Sequence, residues 1–205
     1  MITLLRFRRI EAVLRETGYS DIIDWSEAIA PPSDADGFAE QAIYVIFNSG
    51  MKNAVAEPIF NRCMKALRDG TAVASVFGHP GKRVAIEQIW QNREDLFAEY
   101  RRASDPIELL RQLPWIGAIT SYHLAKNLGA DVAKPDVHME RLARRDRTST
   151  HGLCCRLSRH TDYRVATIDT ILWRACADGL LNSRVYELQG WKAAFRLDRF
   201  LKNRD

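Results

Sequence analysis

The sequence predicts an all-α fold, and three observations support this prediction. Apolar residues recur at helical spacing along nearly the whole chain, no run alternates apolar and polar residues as a strand would, and glycine or proline interrupts the pattern at intervals. The 205 residues suffice for one sizeable core or for two smaller lobes. A composition of 46% hydrophobic and 27% charged residues is typical of a globular chain, so we do not expect disorder to dominate.

Four helical segments are predicted in the first half of the chain. They run from Leu4 to just before Gly18, from Asp21 to Ala30, from Phe38 to Phe47 and from Val55 to Leu67. The loop 31–37, made mostly of proline, serine, aspartate and glycine, is the clearest break between them. Gly70 ends the fourth segment.

Five more helical segments are predicted in the second half. They are Val84–Tyr100, Ser104–Leu113, Ala118–Leu128, Val137–Arg145 and Val165–Ala177. Ser104 is the expected N-cap of its helix, with Pro106 in the first turn. Gly129 follows a predicted helix at the position where a C-terminal cap commonly has glycine.

We expect these helices to form two lobes. Residues 38–163 would form a central lobe that contains a pair of helices joined by a hairpin at about 105–129 and a loop with an acidic residue at 130–137. Residues 1–37 and 164–205 would pack together as the second lobe.

The net charge of +4 and the pI near 9.0 favour polyanionic partners, although a merely basic protein would show the same values. The excess is concentrated between residues 141 and 164, where seven arginines face only two aspartates. These arginines are Arg141, Arg144, Arg145, Arg147, Arg156, Arg159 and Arg164. A phosphate-facing strip and a solvated basic surface both explain this cluster.

Membrane and secreted proteins are disfavoured. No apolar stretch approaches the roughly 20 residues that a bilayer span needs, and Arg6, Arg8 and Arg9 interrupt the start before a signal-type run can form. Four cysteines in 205 residues do not suggest a disulfide framework. We therefore expect a cytoplasmic protein, associated with the nucleoid if the source is bacterial.

The stretch Leu113-Pro114-Trp115-Ile116-Gly117-Ala118-Ile119-Thr120 joins two predicted helices by a turn too short for anything but a tight hairpin. We predict that the N–H groups of Gly117, Ala118 and Ile119 are unpaired and point outward at the positive end of the second helix. Such a group of N–H donors binds anions, and phosphate suits it. A hairpin used only for packing is the alternative.

This hairpin resembles that of the helix-hairpin-helix DNA glycosylase superfamily, whose pattern is Leu-Pro-Gly-Val/Ile-Gly. The resemblance covers about Asp105 to Arg145 and implies a two-lobed helical fold with a central cleft for DNA. It assigns strand contacts to Trp115, Ile116, Gly117, Ala118, Ile119 and Thr120. Trp115 stands where the pattern has its first glycine, and Ile119 stands where bifunctional members carry a Schiff-base lysine, which argues against lyase chemistry through that residue.

Asp136 lies in Lys134-Pro135-Asp136-Val137-His138, at the distance from the hairpin that the resemblance leads one to expect. Its position before a helix predicts that its carboxylate caps the N–H of His138 or Met139, which contributes roughly 1 kcal/mol. The resemblance implies that Asp136 is also the catalytic carboxylate, which stabilises an oxocarbenium-like sugar and positions or deprotonates water. Lys134 is the expected phosphate contact beside it.

A flipped base needs a pocket of aromatic and polar side chains. The candidates are Tyr44, Phe47 and Asn48, where polar groups interrupt an apolar helix, although for Tyr44 and Phe47 taken singly core packing is favoured over base stacking.

No metal is expected, because adjacent cysteines such as Cys154 and Cys155 rarely ligate one ion and the iron–sulfur loop of some superfamily members is absent. No cofactor is implied. Lys126 and Lys134 stay open as amines that could support lyase activity.

The resemblance thus implies a monofunctional base-excision DNA glycosylase, expected to be a monomer, that acts on double-stranded DNA with a damaged or modified base. The alternative is a non-catalytic helix-hairpin-helix DNA-binding protein, or a relative that modifies DNA with the same fold. The sequence does not identify the base that is removed.

Overall fold

The computed structural model describes residues 1–202, and these are helical almost throughout, which confirms the all-α prediction. The only extended pairing in that range is an isolated antiparallel bridge between Leu181 and Phe195. None of the described helices combines the length and apolar character needed to cross a bilayer.

The described range contains fourteen α-helices. They are α1 Leu4–Leu14, α2 Ser20–Ala28, α3 Ala35–Asn48, α4 Asn53–Arg68, α5 Pro80–Gln91, α6 Arg93–Arg102, α7 Pro106–Arg111, α8 Thr120–Asn127, α9 Val137–Asp146, α10 Thr150–Ser158, α11 Val165–Ala177, α12 Ser183–Gln189, α13 Trp191–Ala194 and α14 Leu197–Lys202.

Two compact units make up the chain. The terminal unit comprises Met1–Ile29 and Asp131–Asp205, and the middle unit comprises Ala30–Ala130. These boundaries differ from the expected ones, which placed residues 131–163 in the central lobe. The physical reason is that α9 and α10 bury Met139 and Leu153 in the same apolar cluster as residues of α1 and α11.

In the middle unit, α3 is the helix around which the others pack. It contacts α4, α5, α6 and α8. The consecutive residues Val45, Ile46 and Phe47 are all fully buried, so apolar contacts surround the helix at this level. A helix that is apolar on every face is stable only when neighbours enclose it.

In the terminal unit, α11 is the helix around which the others pack, and it contacts α1, α2, α9 and α10.

The carboxylate of Asp146, at the end of α9, is buried in the same unit. It accepts hydrogen bonds from the Ile2 N–H at 2.8 Å, the Arg156 guanidinium at 2.9 Å and the Tyr186 hydroxyl at 2.6 Å. These donors compensate the loss of water around the charge. Asp146 therefore ties the beginning of the chain to α9, α10 and α12.

Several helix boundaries differ from the predictions, and α10, α12, α13 and α14 are not predicted at all. The segment expected as one helix from Val84 to Tyr100 is two helices, α5 and α6, separated at Asn92. The N-cap of α7 is Asp105, whose carboxylate accepts the Glu108 N–H at 3.1 Å, and not Ser104. Serine and aspartate are equally good N-caps, so the sequence alone does not decide between neighbours.

Candidate functional site

The predicted hairpin is present between α7 and α8, which pack against each other. Leu110 on α7 and Leu124 on α8 are fully buried, and Leu113 at the beginning of the turn is nearly so. By contrast, Ile119 is 47% exposed and does not join this core. The apolar contacts between the two helices thus fix the turn from both sides and leave its tip accessible.

Trp115 adopts a left-handed backbone conformation with φ of +68°. Its indole packs on Gly81, where an added Cβ would lie 2.7 Å from Cζ3 of the ring, and meets the His79 ring edge-on at a centroid distance of 5.3 Å. The side chain is still 45% exposed. Packing on α5 therefore offsets the strain of a position that favours glycine, while part of the ring faces solvent.

The N–H groups of the turn are arranged differently from the prediction. The Gly117 N–H is not free: it donates to Oγ1 of Thr120 at 2.7 Å, because a threonine three residues further on can reach back to it. The Ile116 N–H donates to the Leu113 carbonyl at 3.1 Å, and the Ile116 side chain is buried.

The donors left over are the N–H groups of Ala118, Ile119 and Thr120. Within the described residues they donate no hydrogen bond, and they stand at the N-terminus of α8. The helix dipole adds positive potential at this end. Three adjacent unpaired donors are therefore present, as the prediction expected, but they belong to residues 118–120 and not to 117–119.

Asp136 is the N-cap of α9, as predicted. Its Oδ1 accepts the N–H of His138 at 2.9 Å and that of Met139 at 3.0 Å. Its Oδ2 lies 3.7 Å from Nζ of Lys134, and the side chain is 15% exposed. The carboxylate is thus held in one orientation by the helix and keeps a small exposed area.

Two side chains of α11 lie near this acid: Trp173 contacts Lys134, and Cys176 is close enough to be affected by the charge of Asp136. Nζ of Lys134 lies 5.3 Å from the centre of the Trp173 ring, a cation–π contact. Burial, and to a smaller extent the charge of Asp136, raises the pKa of Cys176, which places this thiol near the acid. Neither Trp173 nor Cys176 is among the predicted site residues, although their spacing of three on α11 puts them on one helical face.

The His138 ring points to Ser183, with Nδ1 at 2.9 Å from Oγ. This is a polar packing contact between α9 and α12. The Asp136 carboxylate accepts a hydrogen bond from the backbone N–H of His138 and not from the imidazole ring of His138.

The three predicted base-pocket residues differ in their surroundings. Phe47 is fully buried and contacts Phe77 at a ring-centroid distance of 4.9 Å, so it belongs to the core of the middle unit. Tyr44 is partly buried against Phe60, and this burial raises the pKa of its hydroxyl. Asn48 Nδ2 donates to the Tyr44 carbonyl at 3.0 Å and so faces back along its own helix.

Lys82, in the first turn of α5, is a residue that the sequence analysis missed. It is 5% exposed, and its Nζ donates to the Ser49 carbonyl at 2.6 Å, just past the end of α3. Burial lowers the pKa of this amine. No local signal identifies it, because a lysine after Pro-Gly at a helix start usually lies in solvent.

The candidate residues fall into two groups. The hairpin, Tyr44, Phe47 and Asn48 belong to the middle unit, whereas Lys134 and Asp136 belong to the terminal unit. No group of three histidine, cysteine or acidic side chains that could hold a metal ion occurs in the described part of the chain.

Comparison of the chain with protein-family models, with curated proteins and with solved structures gave no match. What the protein does must therefore be inferred from its own residues.

Proposed function

We propose that the protein binds double-stranded DNA and hydrolyses the N-glycosidic bond of a flipped, damaged or modified base, as a monofunctional DNA glycosylase. With this function we propose the glycosylase-like fold of two lobes around a central cleft. We also propose a monomer that works in the cytoplasm, at the nucleoid in a bacterium. The observation that carries the proposal is the group of three adjacent, unpaired N–H donors at residues 118–120.

The first step is capture of the DNA backbone by the hairpin. The N–H groups of Ala118, Ile119 and Thr120 match the oxygens of one phosphate, and the dipole of α8 favours the negative charge. Backbone N–H groups read no base sequence, so this contact positions the duplex without selecting a sequence. Trp115 and Ile119, both nearly half exposed, offer apolar surface beside that phosphate.

The second step is bond cleavage beside Asp136. As the C1′–N bond breaks, its electron pair leaves with the base and positive charge develops on the sugar, which a carboxylate stabilises. The oxygen of a water molecule then bonds to C1′, and its proton passes to the carboxylate or to solvent. The two helix N–H groups on Oδ1 hold the acid in place during both events.

Lyase chemistry is not part of the proposal. Ile119 occupies the position where a bifunctional superfamily member carries its amine, and it has no nucleophile. Borohydride trapping tests whether Lys126 or Lys134 replaces that amine. A trapped covalent complex would contradict the monofunctional assignment.

A non-catalytic DNA-binding protein is the second candidate, and one observation favours it. Both oxygens of Asp136 already have structural partners, namely the α9 N–H groups and Lys134. The acid would then stabilise the fold alone, and the hairpin would still bind DNA.

Replacing Asp136 with asparagine separates the two candidates. Asparagine caps a helix as well as aspartate does, so Asp136→Asn should fold normally. We expect unchanged affinity for duplex DNA and a loss of base release of about 100-fold or more, since the carboxylate charge is gone. The measurement is the release of free base from a panel of duplexes that each carry one lesion.

The matched control is Asp131→Asn in the same segment. Asp131 also bonds a helix start, with its Oδ1 accepting the Ala166 N–H at 2.9 Å, so this variant loses a comparable charge. It should keep base release. Base release that survives in Asp136→Asn contradicts the catalytic role, and binding by the wild-type protein without release from any duplex supports the second candidate.

A further inference from the structure

The structure divides the arginines of segment 141–164 into two kinds. Arg156 donates to the buried Asp146 at 2.9 Å and to the Ile2 carbonyl at 2.8 Å. Arg164 donates to the Ile29 carbonyl at 3.0 Å. These two guanidinium groups hold the terminal unit together and are not offered to a ligand.

Three other arginines of this segment border an open cavity. Arg144, Arg145 and Arg147 line a space of about 540 Å³ together with Glu187. Nε of Arg144 donates to Glu187 at 2.8 Å, and this hydrogen bond lowers the pKa of the Glu187 carboxyl. The ionised carboxylate cancels one of three positive charges, so the cavity is net positive.

The guanidinium of Arg145 is held at the edge of this cavity. Its Nη1 donates to the carbonyls of Glu187 at 3.3 Å and Leu188 at 3.5 Å, at the end of α12. Gly190 makes this approach possible, because an added Cβ there would lie 3.2 Å from Nη2 of Arg145. A guanidinium fixed by carbonyl acceptors is ordered before a ligand arrives, which reduces the entropy lost on binding.

Unlike Arg145, Arg147 is not held by backbone carbonyls of residues 1–202. Arg147 is the C-cap of α9 with a left-handed backbone, φ of +56°, and its side chain is exposed. Among the described residues its guanidinium makes no hydrogen bond or ion pair. One oriented and one unengaged guanidinium therefore share a cavity in which Glu187, the acid among the described lining residues, is already paired with Arg144 and Arg141.

We propose that this cavity binds a phosphate group of a nucleic-acid backbone. Guanidinium groups match phosphate oxygens in geometry and charge. Several guanidinium groups around one cavity favour phosphate over an anion that can accept hydrogen bonds from only one of them. The assignment to DNA rests on the proposed function, whereas a free polyphosphate is the other source of the same chemistry.

The test compares Arg147→Asn with Arg159→Gln. Asparagine tolerates the left-handed conformation, so Arg147→Asn removes the charge without adding backbone strain. Arg159 is an exposed arginine of the same segment outside the cavity, so Arg159→Gln changes the net charge equally. Duplex affinity is measured by fluorescence anisotropy at several KCl concentrations.

We expect Arg147→Asn to weaken binding several-fold and to reduce the slope of log affinity against log salt by about 0.9, the value for one lost phosphate contact. Arg159→Gln should stay close to the wild-type protein. Equal effects of the two variants, or no effect of either, would show that the arginines form only a solvated surface and would overturn the proposal.

Competition with inorganic pyrophosphate distinguishes the source of the phosphate. Displacement of the duplex by pyrophosphate, abolished in Arg147→Asn, supports the cavity as a DNA phosphate site. Pyrophosphate binding without duplex binding assigns the cavity to a free polyphosphate and overturns the DNA assignment.

The two proposals fail separately. If Asp136→Asn keeps base release, the glycosylase proposal fails while the Arg147 result is unaffected. If Arg147→Asn behaves like its control while Asp136→Asn abolishes release, the cavity proposal fails alone.

Discussion

Trp115 shows how one side chain can occupy a backbone position that favours glycine. The residue has φ of +68°, and its indole covers Gly81 in the first turn of α5. The sequence predicts a tight turn at this position, because only a few residues separate the two helices. The contact with Gly81 joins residues 34 positions apart, so a local pattern does not predict it.

Two substitutions test the left-handed backbone of Trp115. Trp115→Ala and Trp115→Gly both remove the ring, and both should lower the free energy of unfolding. Glycine adopts positive φ freely while alanine does not, so Trp115→Gly should be the more stable of the two by about 1 kcal/mol. Urea unfolding measures the difference.

The sign of that difference is informative. At an ordinary backbone position alanine is more stable than glycine, because glycine loses more conformational entropy on folding. An alanine variant equal to or more stable than the glycine variant would therefore contradict the left-handed turn.

The burial of Lys82 and the hydrogen bond that the Thr120 hydroxyl accepts could not be predicted from the sequence. The amine of Lys82 is buried because the carbonyl of Ser49, distant in sequence, comes to it. The hydroxyl of Thr120 takes the Gly117 N–H, one of several partners available to a threonine near a helix start. A composition pattern does not distinguish these arrangements from solvated side chains.

Two helix ends that a local cap sets are predicted correctly. Gly129 ends α8 as expected: its N–H donates to the Lys126 carbonyl, and the Ala130 N–H donates to the Ala125 carbonyl. Asp136 begins α9 with the predicted hydrogen bonds. In both cases the partners lie within five residues, so the sequence contains the necessary information.

Gly129 also has a role that extends beyond its own helix. Its φ is +86°, and an added Cβ would lie 2.7 Å from the backbone nitrogen of Pro31. We expect Gly129→Ala to lower the free energy of unfolding by about 2 kcal/mol or more, because backbone strain and a backbone clash add together. Chemical denaturation measures the loss.

Gly70→Ala is the matched control for this prediction. Gly70 follows α4 with φ of +69°, and an added Cβ would meet no atom within 4 Å. This variant should show the strain alone, about 1 kcal/mol. Equal losses for Gly129→Ala and Gly70→Ala would contradict the close approach of Pro31.

Across the whole molecule, buried and half-buried phenols and thiols make the folded state sensitive to alkaline pH. Burial raises the pKa of Tyr100 and Tyr163, and it raises that of Cys63 to about 11. Burial and, second, the hydrogen bond to Asp146 raise the pKa of Tyr186 far above its ordinary value of 10.0. The folded protein therefore holds these protons more tightly than the unfolded chain does.

The sign of the pH dependence follows from linkage. Above pH 10 the unfolded chain loses its phenolic protons first, so the stabilisation present below that pH decreases as the pH rises. Tyr186→Phe should make this decrease shallower, as measured by urea unfolding from neutral pH to about pH 11. Parallel curves for the two proteins would contradict the contribution of Tyr186.

The same variant should be less stable at neutral pH. Phenylalanine removes the hydroxyl that donates to Asp146 at 2.6 Å, which leaves the buried carboxylate with one donor fewer. The expected loss is about 1–3 kcal/mol.

The sequence by itself determined the helical class, the hairpin between α7 and α8 and the capping role of Asp136. Each depends on periodicity or on a cap only a few residues away. Only the tertiary structure decided the limits of the two units, the burial of Lys82 and which arginines of segment 141–164 border a cavity. These depend on which distant side chains and carbonyls meet, and burial against such partners determines whether a charge is structural or available to a ligand.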